Sequence, residues 1–326
     1  ITVSDFIGMG AGTNGAVTFD SNGIVSFEVS GNVGSAIGLN GISSTGALEA
    51  QQIFLTARNA SAIYNNAINL EGTATASSIN IDGDTVRLGA EVTLNGVSAS
   101  LDIDNDGSAV TELTIGNSAS IDFGTDGQAM AVASKVTIEN GNTTLNNAQL
   151  TGADNEITLG TADFSITSVN NLNLANGALE GSAGTDTFEV TGAALTANAI
   201  SVTNAASGIN AGDGVDVLTV NDTNSTLTGT DNEIATANYA FSSVETVDLA
   251  DNALTGTANA DTFDVTGANA LTSADIDFTN VSSVDAGNGA DQLNTTEATL
   301  VAGTNEALTS NNISFTDIES ADLGDG

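Results

Sequence analysis

Four nine-residue phrases that combine glycine with aspartate are the part of this sequence best suited to chemistry. Each has an aspartate at its sixth position, and glycines before it allow tight turns whose carbonyl groups face inward. Carboxylate and carbonyl oxygens are the ligands that a hard cation such as calcium prefers. The spacing therefore predicts cation-binding turns. The phrases are GSAGTDTFE from Gly181, AGDGVDVLT from Ala211, GTANADTFD from Gly256 and AGNGADQLN from Ala286.

The phrases resemble the calcium-binding nonapeptide of RTX proteins, G-G-x-G-x-D-x-U-x. That resemblance implies metal ligation by Asp186, Asp216, Asp261 and Asp291. Each phrase lacks at least one glycine of the pattern. The phrases also stand alone in the chain, whereas RTX sites share ligands between tandem repeats that follow one another directly. The alternative is an acidic turn whose aspartate faces outward.

A second candidate calcium site is the segment DIDNDG. Its residues Asp102, Asp104, Asp106 and Gly107 match the opening of an EF-hand loop. The twelfth position, where a bidentate glutamate is expected, holds Leu113, and Glu112 stands one residue early. The alternative is an exposed, aspartate-rich turn.

Composition argues against an enzyme. The chain has no histidine and no cysteine, so the common general bases and activated nucleophiles are missing. Pairs of carboxylates that could cleave a glycoside are unavoidable among 41 acidic residues and carry no specificity. A polysaccharide lyase would need a basic residue in a groove, and the only candidates are Arg58, Arg87 and Lys135.

Charge excludes further classes of partner. The net charge of −38 argues against nucleic acid and against an anionic membrane surface, both of which require clustered lysine and arginine. No apolar run is long enough to cross a bilayer. We interpret the 326 residues as a segment of a longer protein.

A repeat of about 75 residues organises the chain, and recurrence of this kind is typical of repeat proteins. ALEGSAGTDTFEVTG from Ala178 returns as ALTGTANADTFDVTG from Ala253, and LTGTDNEI from Leu227 has an upstream twin at Leu150. We therefore divide the chain into diverged coils over 1–149 and repeat-bearing coils over 150–326, which we expect to continue from the first.

Short strands are indicated throughout, since small apolar residues alternate with polar ones between turn-forming glycine, asparagine and aspartate. A right-handed parallel β-helix explains this pattern best, with turns of roughly 19–25 residues, and tandem β-sandwiches are the alternative. The segment from Glu49 to Ile68 is the best candidate for a helix. We expect the matching residues of the next repeat, such as Val265 for Val190, to stack in register on those of the first. The residues that we expect to fill the interior are Phe188, Val190, Ile200, Val202, Leu218, Val220, Phe241, Val244 and Leu249.

The residues from Leu150 to Leu323 resemble the repeat regions of giant bacterial surface adhesins of the filamentous-haemagglutinin type. The resemblance implies a right-handed β-helix, export to the cell surface or biofilm matrix, and a role in attachment. We expect a stalk or spacer, with surface glycans or matrix polysaccharide bound by other parts of the parent protein. Two alternatives stay open: a surface-layer or matrix subunit that self-associates through calcium, and a carbohydrate-binding or carbohydrate-cleaving β-helix with Tyr64, Arg58 or Arg87 in a groove.

Overall fold

The computed structural model describes most of the chain and is all-β wherever it does so. No helix within that part is long and apolar enough to cross a membrane. The described residues are 6–10, 14–19, 25–30, 42–57, 68–83, 85–89, 91–95, 97–103, 110, 112–142, 144–160, 164–295 and 308–324.

Two compact units divide the chain. The first comprises 1–149, 154–178 and 203–205, and the second comprises 150–153, 179–202 and 206–326. The strands of the first unit are β1 (Phe6–Gly10), β2 (Asn14–Phe19), β3 (Val25–Ser30), β4 (Ile42–Ser44), β5 (Leu48–Glu49), β6 (Gln52–Ala57), β7 (Ile68–Leu70), β8 (Thr73–Ala76), β9 (Ser78–Gly83), β10 (Thr85–Leu88), β11 (Glu91–Leu94), β12 (Ser100–Ile103), β13 (Glu112–Ile115), β14 (Ser120–Asp122), β15 (Gln128–Val132), β16 (Lys135–Ile138), β17 (Ala148–Leu150, which ends in the second unit), β18 (Ile157–Leu159), β19 (Phe164–Thr167) and β20 (Asn171–Asn173).

The first unit is a β-solenoid whose turns pass through three parallel sheets. One ladder runs through β4, β7, β10, β13, β16 and β20, a second through β1, β6, β9, β12, β15 and β19, and a third through β5, β8, β11 and β14. In the first ladder, Val86 pairs with Ile68 on one side and with Leu113 on the other. Leu113 is much further from Val86 along the chain than Ile68 is, so turn length varies within the unit.

The second unit is a β-solenoid built on two sheets. Its strands are β21 (Leu179–Glu180), β22 (Thr187–Thr191), β23 (Ala194–Ala197), β24 (Ile200–Thr203), β25 (Gly208–Asn210), β26 (Val217–Asn221), β27 (Ser225–Leu227), β28 (Glu233–Ala235), β29 (Ala240–Ser242), β30 (Thr246–Asp248), β31 (Ala253–Thr255), β32 (Thr262–Gly267), β33 (Ala270–Ser273), β34 (Ile276–Thr279), β35 (Ser283–Asp285), β36 (Gln292–Asn294), β37 (Leu308–Ser310), β38 (Ile313–Thr316) and β39 (Ser320–Asp322).

Parallel partners in this unit, such as Leu218 with Val247 and Val247 with Phe278, are separated by about 30 residues. The predicted turn of roughly 19–25 residues is therefore too short. The extra length forms antiparallel three-stranded meanders, β22–β23–β24 and β32–β33–β34 on one sheet and β27–β28–β29 on the other. The parallel solenoid predicted from the sequence is confirmed, and the meanders are an addition to it.

The interior is filled by the apolar residues of alternating strands. In β22, Phe188 is 2% exposed and Val190 is fully buried, while Glu189 between them is exposed. All nine predicted interior residues are buried. The rings of Phe188 and Phe241 meet edge to face with centroids 5.6 Å apart, and their repeat equivalents Phe263 and Phe315 lie 6.4 Å apart. Each fully buried side chain of this size stabilises the fold by about 1.5–3 kcal/mol.

Two expectations need correction. The candidate helix from Glu49 is wrong where the structure describes it, because 52–57 form strand β6. Glu49 ends β5 and Ile68 begins β7, and the residues 58–67, with Arg58 and Tyr64, lie outside the described ranges. Val265 aligns with Val190 in the repeat but is only half-buried, since the register of β32 shifts between Val265 and Gly267.

Candidate functional site: two columns of carboxyl groups

The four glycine–aspartate phrases form equivalent turns of the second unit. Each links a strand of one sheet to a strand of the other: β21 to β22, β25 to β26, β31 to β32 and β35 to β36. The turns stack closely, and glycine is required where they touch. A Cβ on Gly181 would lie 1.6 Å from the carbonyl oxygen of Ala211 in the next turn. Stacking brings the aspartates of successive turns into one line.

The first column runs through Asp186, Asp216 and Glu245. The backbone N–H of Asp186 donates to Asp216 Oδ1 at 2.7 Å, and the N–H of Asp216 donates to Glu245 Oε2 at 2.9 Å. One residue later the strands resume ordinary pairing, since Val217 N–H donates to the carbonyl of Asp186. Each carboxyl group therefore replaces a backbone carbonyl as the acceptor at the corner of the solenoid.

The second column repeats this arrangement with Asp261, Asp291 and Glu319. The N–H of Asp261 donates to Asp291 Oδ1 at 2.8 Å, and the N–H of Asp291 donates to Glu319 Oε2 at 2.6 Å. The two aspartates follow their counterparts by one full repeat, and the glutamate stands one position short of a full repeat. The column is thus a property of the repeat.

The first aspartate of each column is well supplied with donors. Asp186 accepts from the backbone N–H of Ser182 and from the side-chain amide of Asn198. Asp261 accepts from the N–H and the hydroxyl of Thr257, at 2.6 and 3.0 Å. Both carboxyl groups close their own turn, which is the local reason for an aspartate at the sixth position of the phrase.

The second aspartate of each column, Asp216 or Asp291, has fewer hydrogen-bond donors than the first. Asp216 Oδ2 and Asp291 Oδ2 are buried and have no hydrogen-bond partner in the described structure. Burial raises the pKa of Asp216 to about 6, the N–H of Asp186 opposes this, and the charges of Asp186, Glu245 and Asp213 add to it. Burial likewise raises the pKa of Asp291.

The burial of the four aspartates tests the alternative to calcium binding, in which the aspartate of each phrase faces outward. Asp186, Asp216 and Asp291 are fully buried, so the outward-facing aspartate is wrong for these three, and Asp261 is half-buried. Asp216 and Asp291 accept backbone N–H groups of the preceding turn, and Asp186 and Asp261 accept N–H groups of their own turn. Among the described residues, no group of three or more acidic side chains converges to hold a metal ion.

The EF-hand-like segment is only partly described. Asp102 lies in β12, between the buried Leu101 and Ile103, so its side chain is on the outer side of the strand. Asp104 and Asp106 lie outside the described residues.

Sequence reasoning missed Glu245 and Glu319. A signal was present, because both stand one residue before the last strand of the repeat, in SVETVDL and DIESADL. Their role was hidden because the partner is a backbone amide 28 or 29 residues away. In the upstream copy Asn170 occupies the equivalent position, so the glutamate does not recur there.

A polar cavity of about 500 Å³ lies in the first unit. Carboxylate, amide and hydroxyl side chains line it, and no aromatic ring does. The lining residues are Asp154, Asn155, Glu156, Thr167, Ser168 and Asn170.

Two of the three cationic residues are described, and both are in ion pairs. Arg87 contacts Glu139 and Glu71, and Lys135 contacts Glu112 at 2.9 Å. The hydrogen bonds with Arg87 lower the pKa of Glu139 and raise that of Arg87. Arg87 is therefore engaged in holding turns together.

No family model matches the chain, and comparison with curated proteins and with solved structures gave no match. The class of protein is therefore defined by its fold alone, a repeat-built β-solenoid.

Proposed function

We propose that this chain is a stalk or spacer segment of a secreted bacterial adhesin or biofilm-matrix filament. The observation that carries the proposal is the junction between the repeat copies. Strand β30 ends one copy and pairs in parallel with β34 of the next, and β27 pairs with β31 in the same way. The junction is made of the same rungs as the interior of a copy, so a further copy extends the ladder without a linker.

The outer surface supports the same role. Among described residues, four large apolar side chains are exposed, Val97, Met130, Val215 and Leu323, and none of them is aromatic. Binding hot spots favour aromatic residues and clustered apolar surface. A net charge of −38 repels neighbouring copies and suits a body that keeps binding regions apart.

The extension itself can be tested by inserting a second copy of Ala178–Asn252 after Asn252. One copy adds five rungs to each sheet, because the ladder from β22 to β32 passes through β26, β30, β34 and β33. At about 4.8 Å per rung, the maximum dimension measured by small-angle scattering should increase by about 24 Å. The circular dichroism signal per residue should stay unchanged.

The matched control inserts an equally long stretch of glycine and serine at the same position. That insert should broaden the scattering profile and dilute the β-sheet signal, since it forms no rungs. If the copied repeat behaves like this control, the copies do not extend the ladder and the spacer proposal fails.

A carbohydrate-binding β-solenoid is the second candidate, and the polar cavity favours it. Asp154, Glu156 and Asn170 offer the acceptors and donors that sugar hydroxyl groups require. A glycan array combined with sedimentation, each with and without calcium, separates the candidates. A spacer binds no sugar and stays monomeric, tight binding abolished by Asn170→Ala identifies a lectin, and calcium-dependent polymerisation identifies a matrix subunit.

A further inference from the structure

The dipeptide Asn-Gly occurs seven times in the sequence, and the spacer role does not use it. In this dipeptide the side-chain amide of asparagine can react with the backbone nitrogen of glycine, because glycine has no Cβ to hinder the approach. The reaction also requires a glycine N–H without a hydrogen-bond partner and a local backbone that can move. Three of the pairs lie outside strands and have both residues described: Asn140–Gly141, Asn176–Gly177 and Asn288–Gly289.

Asn140 and Gly141 form the tip of an exposed turn in the first unit. A hydrogen bond of 3.2 Å from the N–H of Asn142 to the carbonyl of Glu139 closes the turn. Both tip residues are exposed, and in the described structure neither the amide of Asn140 nor the N–H of Gly141 has a hydrogen-bond partner. Gly141 has a φ of +106°, and a Cβ on it would meet only Asn117 Cβ, at 3.7 Å. The tip is therefore unhindered.

The residues on either side of the tip are held firmly. Glu139 accepts two hydrogen bonds from the guanidinium of Arg87. Asn142 is 4% exposed, and its side-chain nitrogen donates to the carbonyls of Gly116 and Ala119 at 2.8 and 2.9 Å. Motion is thus confined to the two residues between these anchors, as in other exposed loop tips.

The same dipeptide at Asn176–Gly177 is protected. The N–H of Gly177 donates to the carbonyl of Leu174 at 2.8 Å, and the N–H of Asn176 donates to the carbonyl of Asn204. A Cβ on Gly177 would lie 1.7 Å from the carbonyl oxygen of Asn146, so the backbone is packed against the neighbouring turn. Reaction here requires local opening of the structure, which costs free energy.

Asn288–Gly289 is intermediate between the other two pairs. Both residues are exposed, and the N–H of Gly289 has no hydrogen-bond partner in the part of the chain that the structure describes. A Cβ on Gly289 would, however, lie 2.4 Å from the carbonyl oxygen of Asn259. Its backbone therefore cannot shift without disturbing the stacked turn. The structure ranks three dipeptides that are identical in the sequence.

We propose that Asn140 is a site of spontaneous deamidation in the folded protein, that Asn288 reacts more slowly, and that Asn176 is protected. The nitrogen of Gly141 gives its proton to hydroxide and forms a bond to Cγ of Asn140. The bond from Cγ to the amide nitrogen breaks, and this nitrogen takes up a proton and leaves as ammonia. Water then opens the succinimide at one of its two carbonyl groups, which gives aspartate or isoaspartate. The net change is gain of water and loss of ammonia, so no oxidant or cofactor is needed.

The two products differ in their effect on the turn. Both add one negative charge at an exposed position. Isoaspartate also adds a carbon atom to the main chain between Glu139 and Asn142, whose side chains are anchored to neighbouring turns. The hydrogen bond that closes the turn then loses its geometry, so we expect isoaspartate to lower stability and aspartate to be tolerated.

The first test uses wild-type protein incubated in ¹⁸O-labelled water at mildly alkaline pH, either native or unfolded in urea, with a chelator present. Product formed during the incubation carries the label, and peptides are then analysed by mass spectrometry. Pepsin is used for digestion, because no lysine or arginine follows Lys135. In urea the three asparagines should react at similar rates. In the native protein Asn140 should react at a rate close to its rate in urea, and Asn176 at least about tenfold more slowly than Asn140. Asn288 should lie between them.

The second test measures the consequence for stability with two matched variants. Asn140→Gln keeps an amide on a longer side chain and should carry no label at this position. Asn140→Asp carries the added charge on an ordinary backbone. After the same native incubation, the Tm of wild type should fall by at least about 2 °C, in proportion to its isoaspartate content, and the Tm of each variant should change less.

Three results would overturn the proposal. Asn140 could stay unlabelled in the native protein while it is labelled in urea, or native Asn140 and Asn176 could react at the same rate. A Tm that falls equally in wild type and Asn140→Gln would show that the turn at Asn140 is not where stability is lost.

Discussion

Arg87 and Glu139 are joined by two hydrogen bonds, Nε to Oε1 at 2.9 Å and Nη2 to Oε2 at 2.8 Å. The pair connects turns 52 residues apart in sequence, and Glu71 binds the guanidinium from the other side. Gly116 leaves room for the guanidinium group, because a Cβ at this position would lie 2.9 Å from Arg87 Nη2. A forked cation thus holds several turns of the first unit together.

Replacement of Arg87 by methionine should therefore lower the free energy of unfolding by about 1–2 kcal/mol, since two charge-assisted hydrogen bonds are lost from a partly buried site. Lys135→Met is the matched control. Its ion pair with Glu112 is half-exposed and should contribute less than about 0.5 kcal/mol. Chemical denaturation of both variants measures the difference, and equal effects would contradict a special role for Arg87.

The pH dependence of stability in the first unit should depend on Glu139. Hydrogen bonding to Arg87 lowers the pKa of Glu139 below its ordinary 4.5. A lowered pKa stabilises the fold above that ordinary value, and the contribution is lost as the pH falls through the folded pKa. Between pH 5 and pH 3, wild type should therefore lose more stability than Arg87→Met, as measured by denaturant midpoints at each pH.

The repeat copies should differ in their response to loss of an aligned valine. Val190→Ala removes two buried methyl groups and should cost about 2 kcal/mol. Val265→Ala acts at a half-buried position beside a register shift and should cost about half as much. Phe263→Ala is the control, because Phe263 is fully buried in the same copy as Val265. It should cost about 3–5 kcal/mol, which would show that this copy does respond to loss of a buried side chain. Equal losses at the two valines would contradict the difference in burial.

A substitution in the turn between β23 and β24 should raise the stability of the protein. Asn198 and Ala199 both have positive φ, +42° and +64°, which is the geometry of a two-residue hairpin turn that favours Asn-Gly. Ala199→Gly relieves the alanine Cβ and should raise stability by about 0.5–1 kcal/mol. Ala197→Gly, at a buried strand position nearby, should lower it by a similar amount. A loss of stability on Ala199→Gly would contradict the assigned turn.

The sequence predicted the strands and their inward faces because alternation of apolar and polar residues is a local property. It did not predict the meanders, since alternation is the same in parallel and antiparallel pairing. The turn at Asn198–Ala199 also lacks the glycine that identifies a hairpin. The columns were half predicted: the aspartates stand in a recognisable phrase, but Glu245 and Glu319 gain their role only when turns 28 or 29 residues apart are stacked.

The order of the rungs has a consequence for how the chain is laid down. After β30, the strand β32 joins the same sheet three rungs further along. Strands β33 and β34 then fill the two-rung gap in reverse order, so that β34 pairs with β30. A chain that is synthesised from its N-terminus and folds as it emerges cannot add these strands to the sheet one at a time in sequence order. Each meander has to assemble as a three-stranded block, so growth of the second unit is stepwise in blocks and an interrupted chain ends with an unfilled gap.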